Sequence, residues 1–220
     1  MTGNTHLSLG VAAGAVAVGV TGSEDQVLTA MSMVVVSSLG AMLPDIDEDG
    51  STLNNLLFRS IRFRSAALAI AGAIFVLLAL IKNLELWVMY SGLYAMAVAF
   101  IPHRSFTHSF LSLALVTWIT YQAHPLHAWA MAAGYLSHLL ADACTSGGIP
   151  LFWPWKKRMG LKSLGVNIRS GDTFDKITGK VAMYGGCIAL VWLFFRDASY
   201  DSFFHSALEQ LEAVKGLLRG

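Results

Sequence analysis

The chain has 220 residues, 55% of them hydrophobic and only 13% charged, with a net charge of +1 at pH 7. A soluble domain carries about a quarter charged residues, so the composition argues against an ordinary water-facing globule and for helices in a bilayer. The charge gives no argument for nucleic acid as a partner. Cys144 and Cys187 stand in unrelated contexts and build neither a disulfide framework nor a Cys-x-x-Cys knuckle, so both read as small buried hydrophobes.

The N-terminus, MTGNTHLSLG, lacks the basic start of a secretory signal, so no cleaved presequence is expected. Apolar stretches follow at 7–20, 27–43, 66–81, 86–101, 109–123, 126–143 and 181–195. Each falls somewhat short of the ~20 residues that span a hydrocarbon core. The best spans are 66–81, 86–101 and 181–195, and the first two are separated only by Lys82, Asn83, Leu84 and Glu85, which predicts a tight helical hairpin. Segments 7–20 and 27–43 are rich in Gly, Ala and Ser, which suit close helix packing better than lipid exposure. They either cross or form a re-entrant pair. The end of the chain, with Phe204, Leu208, Leu211, Val214 and Leu218, has the spacing of an amphipathic helix that lies on a membrane or caps a bundle. The expected organisation is an all-α polytopic membrane bundle over 1–199 and an amphipathic tail over 200–220. A soluble all-α protein with greasy helices is the alternative.

If every stretch crosses, one side receives Arg59, Arg62, Arg64, Arg104, Lys156, Lys157, Arg158, Lys162, Arg169, Lys176 and Lys180. The other side receives only Lys82, Arg196, Lys215 and Arg219. The positive-inside rule makes the first side cytoplasmic, and a re-entrant first pair would leave that parity unchanged.

Four places along the chain carry chemistry. His138 and Asp142, in GYLSHLLADACTSGG, are four apart on an apolar helix and project from one face, the spacing at which an imidazole and a carboxylate hold one ion. The competing reading is a polar pair satisfying itself in a core with help from Ser137. In LPDIDEDGS, Pro44 stops a helix and Asp45, Asp47, Glu48 and Asp49 crowd together, which requires solvent or a cation. Leu56 stands where a calcium loop would close on a glutamate, so Asp45 is the better ligand, with Asp47 second. In PHRSFTHS, His103 and His108 flank a turn and can converge on one ion or on adjacent ions. Arg104 between them suits an anionic oxygen, while Ser105 and Thr107 suit capping the next helix. His6 stands alone in NTHLSLG. Under the orientation read from Lys and Arg alone, His6, Asp45, Asp47, His103, His108, His138 and Asp142 all fall at the cytoplasmic ends of their segments, whereas His124, His127 and His205 fall opposite. That agreement points to a single site.

The ordered set TH-x-x-x-G, LPDID, HRSFTHS, GYLSHLLAD and TSGGIPLFWPW, over roughly residues 1–180, resembles the YdjM family of bacterial inner-membrane proteins described as metal-dependent hydrolases and as LexA-binding. The resemblance implies a helical protein of the bacterial inner membrane with a site on His6, Asp45, His103, His108, His138 and Asp142. It also implies a regulator of the LexA kind as a partner. Where members often carry Arg-Thr-Gly and a later Glu, this chain has Arg169, Ser170, Gly171 and Asp175, which makes Asp175 a doubtful ligand. The motif order is also similar to zinc-dependent phospholipase C, so the resemblance implies phosphoester or phosphodiester cleavage of an amphiphilic substrate by two or three divalent ions, zinc foremost. Asp47 would then be base or bridging ligand, and Arg104 would steady a phosphoryl oxygen. Two other classes compete: a non-catalytic anchor recruiting a cytosolic regulator, through lipid or an acidic partner at 156–169, and a metal transporter. Donors gathered at one point favour the enzyme, and donors strung through the bundle favour transport.

Overall fold

The computed structural model describes residues 1–47, 64–102, 104–161 and 168–196, together with residues 208, 209, 212 and 215. Seven α-helices account for most of them: α1 Gly3–Thr21, α2 Val27–Met42, α3 Arg64–Lys82, α4 Leu86–Ala99, α5 Phe110–Ala123, α6 Pro125–Ala143 and α7 Thr173–Phe195. Two 3-10 turns, Leu43–Asp47 and Phe106–His108, punctuate the path. Among the described residues there is no strand, only a bridge between Ile149 and Met159 that pins the long α6–α7 connection. The amphipathic tail expected over 200–220 and the split at residue 199 lie almost wholly outside the described residues.

The boundaries follow local chemistry. Gly22 ends α1 in the left-handed region (φ 64°), where its N–H returns to the Val18 carbonyl. Pro125 opens α6, where its missing N–H would have had no partner. Asp172 caps α7 by accepting from the Asp175 N–H. The hairpin between α3 and α4 turns in residues 83–85, with Asn83 left-handed (φ 52°).

Helix α1 is central, packing against α2, α6 and α7. Helices α2 and α6 face each other, α5 lies on α6, and the α3–α4 hairpin joins through α4 and α5. Among the described residues, four segments are long and apolar enough to cross a membrane: Gly3–Thr21, Val27–Ile46, Ser65–Lys82 and Thr173–Phe195. Helices α3 and α7 display apolar side chains outward, among them Ile70, Leu80, Ile81, Val181, Ile188 and Trp192, a surface suited to lipid. Cys187 is exposed on α7 and Cys144 half-buried, so neither is the fully buried hydrophobe expected; both are free thiols. Segment 86–101 also departs from expectation. Its helix stops at Ala99 after 14 residues, about 21 Å of rise against a hydrocarbon core of about 30 Å.

Small residues let these helices touch, as their composition predicts for 7–20 and 27–43. A Cβ on Gly134 of α6 would lie 1.9 Å from the Ser37 carbonyl oxygen of α2, and one on Gly10 of α1 would lie 2.7 Å from the Ser38 Cα. Gly72 of α3 and Gly92 of α4 face each other, each with the other's carbonyl oxygen 2.6 Å from where a Cβ would stand. Gly134→Ala must therefore separate α2 from α6 and should cost about 1–3 kcal/mol, read as a lower Tm in detergent. Gly185→Ala on α7, where an added Cβ meets nothing within 4 Å, should leave Tm unchanged or slightly raised. Equal losses in the two variants would refute the close-contact account.

Candidate metal centre

The α2–α6 contact delivers more than packing. It sets the Ala41 carbonyl at the end of α2 2.8 Å from His138 Nδ1. A carbonyl only accepts, so Nδ1 carries the proton and the neutral ring turns the Nε2 lone pair toward the bundle end. One turn on, Asp142 presents Oδ2 3.7 Å from that Nε2. Ser137, expected to help, instead donates to its own helix at the Gly134 carbonyl.

Two other elements converge on the same point. Asp45 in the turn Leu43–Asp47 places Oδ1 3.3 Å from His108 Nε2 and 3.7 Å from His138 Nε2. His108, in the turn Phe106–His108, sets Nε2 3.3 Å from His138 Nε2 and 3.7 Å from Asp142 Oδ2. One donor atom from each of Asp45, His108, His138 and Asp142 lies within 4.8 Å of the others. His108 and His138 are fully buried and Asp142 nearly so, while the Asp45 side chain is 16% exposed and forms the open edge.

His6 completes the wall. Its ring stacks on His138 with centroids 3.8 Å apart and planes 19° from parallel. Its Nε2 is 3.2 Å from Asp142 Oδ1 without hydrogen-bond geometry, and both ring nitrogens are buried and unpartnered. The Met1 ammonium also contacts Asp142 Oδ1. His103 and the Asp47 side chain lie outside the described residues. Arg104 is described, left-handed at φ 55°, and lines a cavity with Phe100 and Trp153. His127, placed by sequence on the opposite side, pairs there with Ser32 at 2.8 Å.

The donor set fits a divalent cation. A lone pair on His138 Nε2, a second imidazole nitrogen 3.3 Å away and two carboxylates aim at one buried point, where their mutual repulsion is unfavourable without positive charge. Mixed imidazole and carboxylate donors suit zinc and its neighbours.

The supporting shell was not visible in the sequence. Tyr135 of α6 donates to the Thr107 carbonyl at 2.5 Å, so Ser112 must donate to Tyr135 (2.8 Å), and Tyr94 to Ser112 (2.9 Å). This chain ties α4, α5 and α6 to the turn carrying His108. The cap of α5 is Ser109 rather than Ser105 or Thr107, accepting from the Ser112 N–H while donating to the Phe106 carbonyl. Thr107 Oγ1 lies 3.1 Å from His108 Nδ1, and Ser105 bonds the Pro102 carbonyl.

Asp175 lies outside the cluster. It is fully buried and accepts from the Thr2 and Gly171 N–H groups, and its backbone carbonyl accepts from Thr5. It thereby anchors the start of α1, which bears His6. Next to it, the exposed Asp172 has its carboxyl held below the usual range by the backbone N–H groups of Asp175 and Arg169.

The family model described as YdjM inner membrane protein matches residues 1–200. The chain belongs to the YdjM family. It is 40% identical over 70 residues to the inner membrane protein YdjM of Escherichia coli K12, and equally to that of Shigella flexneri. Each match covers 28% of this chain and 35% of the relative, so the chain spans about a third of the length of the curated YdjM proteins it matches. No solved structure matches the chain.

The hydroxyl chain makes a prediction. Tyr135→Phe removes the donor to the Thr107 carbonyl and the acceptor of the Ser112 hydroxyl and should cost about 1–3 kcal/mol. Tyr94→Phe, at the chain's outer end, should cost less. Thermal unfolding in detergent reads both, and the reverse order would overturn the assigned direction.

Proposed function

We propose that this protein is a metal-dependent hydrolase of the bacterial inner membrane, acting at the cytoplasmic face on a phosphoester or phosphodiester of an amphiphilic substrate. The observation that carries this reading is the meeting of Asp45, His108, His138 and Asp142 within 4.8 Å at one end of a membrane bundle. Intramembrane His and Asp are costly, and function is the usual reason they persist. Their gathering at one point, rather than along the bundle, favours hydrolysis over ion transport.

In this reading the four clustered residues hold the first ion, while His6 and His103 extend the donor set to a second or third. Zinc is the expected metal. A divalent ion there would supply Lewis acidity, making water nucleophilic near neutral pH and offsetting charge on phosphoryl oxygens. The chain's own residues do the rest. The Ala41 carbonyl holds His138 in the tautomer that faces the site, and the Tyr135 chain steadies the His108 turn. Asp45 forms the edge through which water reaches the donors. Asp47 takes the proton, and Arg104 binds the anionic headgroup.

Metal content and lipid turnover in detergent test this together. His138→Ala and Asp142→Ala should lose the metal and all hydrolysis of phosphodiester and phosphomonoester lipids. Asp47→Asn should keep the metal and lose about a hundredfold or more in turnover, the usual worth of a general base. Arg104→Ala should keep the metal and weaken substrate binding. Unchanged metal in both the His138 and Asp142 variants would remove the site. Full occupancy without turnover of any such lipid would favour the other class of function, an anchor recruiting a cytosolic regulator of the LexA kind.

Orientation is tested separately. The side bearing Arg104, Lys156, Lys157 and Arg158 is the basic one, so reporters fused at residues 105 and 160 should read cytoplasmic and one at residue 84 periplasmic. A periplasmic reading at residue 105 would overturn the assigned face.

A further inference from the structure

Apart from the candidate donors, the chain builds a second feature. A cavity of about 520 Å³ opens between the end of α4 and the α6–α7 connection. Three cations line it, Arg104, Lys156 and Arg158, and its walls include Phe100, Ile101 and Trp153. No described lining residue carries a carboxylate. The three positive charges therefore face one space with no neutralising partner among its described walls.

Arg104 sharpens the point. Its Nε is buried and has no hydrogen-bond partner, and one terminal nitrogen reaches toward Gly147, 3.3 Å from where a Cβ would stand. A guanidinium N–H removed from water without an acceptor is unfavourable, and an anionic oxygen in the cavity would satisfy it. A guanidinium fork suits phosphate geometry, with lysine adding a point charge.

The walls say what else the anion carries. Phe100 directly follows α4 and is 81% exposed, and Trp155, near the cavity in the same connection, is 73% exposed. Aromatic rings beside cations at a helix end are the composition of a membrane interface. A soluble anion would leave these apolar walls wet, whereas an amphiphile places its phosphate on the cations and its tails against Phe100 and Trp153. A choline or ethanolamine ammonium would add a further positive charge to this space.

We propose that this cavity binds the headgroup phosphate of an anionic glycerophospholipid entering from the bilayer. Occupancy does not depend on hydrolysis; only the corollary that such a lipid is the substrate rests on the function proposed above.

The test is calorimetric titration of the full chain in detergent with dihexanoyl phosphatidylglycerol, dihexanoyl phosphatidylcholine and inorganic phosphate. Metal content is measured on each sample, so that loss of this site and loss of the metal centre are distinguishable. Lys156→Gln and Arg104→Gln should each weaken phosphatidylglycerol binding about tenfold, the worth of one charge-assisted hydrogen bond. Lys157→Gln should change it less than about twofold, because Lys157 lines a neighbouring cavity and not this one. Lys156 is exposed, so its variant stays informative if Arg104→Gln fails to fold. The choline lipid should bind at least about tenfold more weakly. Equal losses at Lys156 and Lys157 would reduce the site to diffuse surface charge. Displacement of phosphatidylglycerol by an equal concentration of inorganic phosphate would make it a free-anion site. Equal affinity for the two lipids would also overturn the proposal.

Discussion

The contact on which the rest depends is the approach of α2 and α6 at Ser37 and Gly134. Only a residue without a Cβ lets the two backbones come that close, since a Cβ at Gly134 would fall 1.9 Å from the Ser37 carbonyl oxygen. One turn along each helix, the same approach brings the Ala41 carbonyl to His138 Nδ1. A packing constraint thus becomes a chemical one, because the carbonyl selects the tautomer that turns Nε2 toward Asp45, His108 and Asp142. The energy of helix contact and the preorganisation of the site are inseparable here.

Buried titratable groups at a bundle end are expensive. Two carboxylates and three imidazoles near one point stand well above what packing alone would tolerate, and the chain supports them unevenly. His138 and His108 each have a second-nitrogen neighbour, and Asp142 meets the Met1 ammonium as well as the imidazoles of His6, His108 and His138. His6 is held only by stacking and by its proximity to Asp142. Asp175 spends its carboxylate on the backbone of Thr2 and Gly171, outside the cluster but holding the helix that presents His6. A sequence argument that sorts carboxylates only into ligands and non-ligands overlooks this third role, positioning.

The basic cavity lies close to the donors in sequence. Arg104 and His108 stand four residues apart, and the turn Phe106–His108 begins directly after Ser105, which lines the cavity. The turn also meets the cavity's aromatic wall, where Phe106 packs edge-on against Trp153. That wall suits a ligand that never fully leaves the bilayer.

Sequence by itself determined the class of the molecule and nominated a set of donors, of which Asp45, His108, His138 and Asp142 meet within 4.8 Å. Hydropathy requires helices in lipid because backbone groups there must pair within their own segment, and the expectation that those helices alternate is what grouped His6, Asp45, Asp47, His103, His108, His138 and Asp142 at one end. What sequence could not decide was geometry set by neighbours distant in the chain. The Ala41 carbonyl on His138 and the Tyr94–Ser112–Tyr135 chain join residues up to 97 positions apart, and no local periodicity encodes them. Helix length was likewise decided by context: segment 86–101 is apolar throughout, yet α4 stops at Ala99, short of a full crossing, before the turn that carries Arg104. Composition acts through solvent and is legible residue by residue, whereas hydrogen bonds between helices exist only after packing has chosen which faces meet.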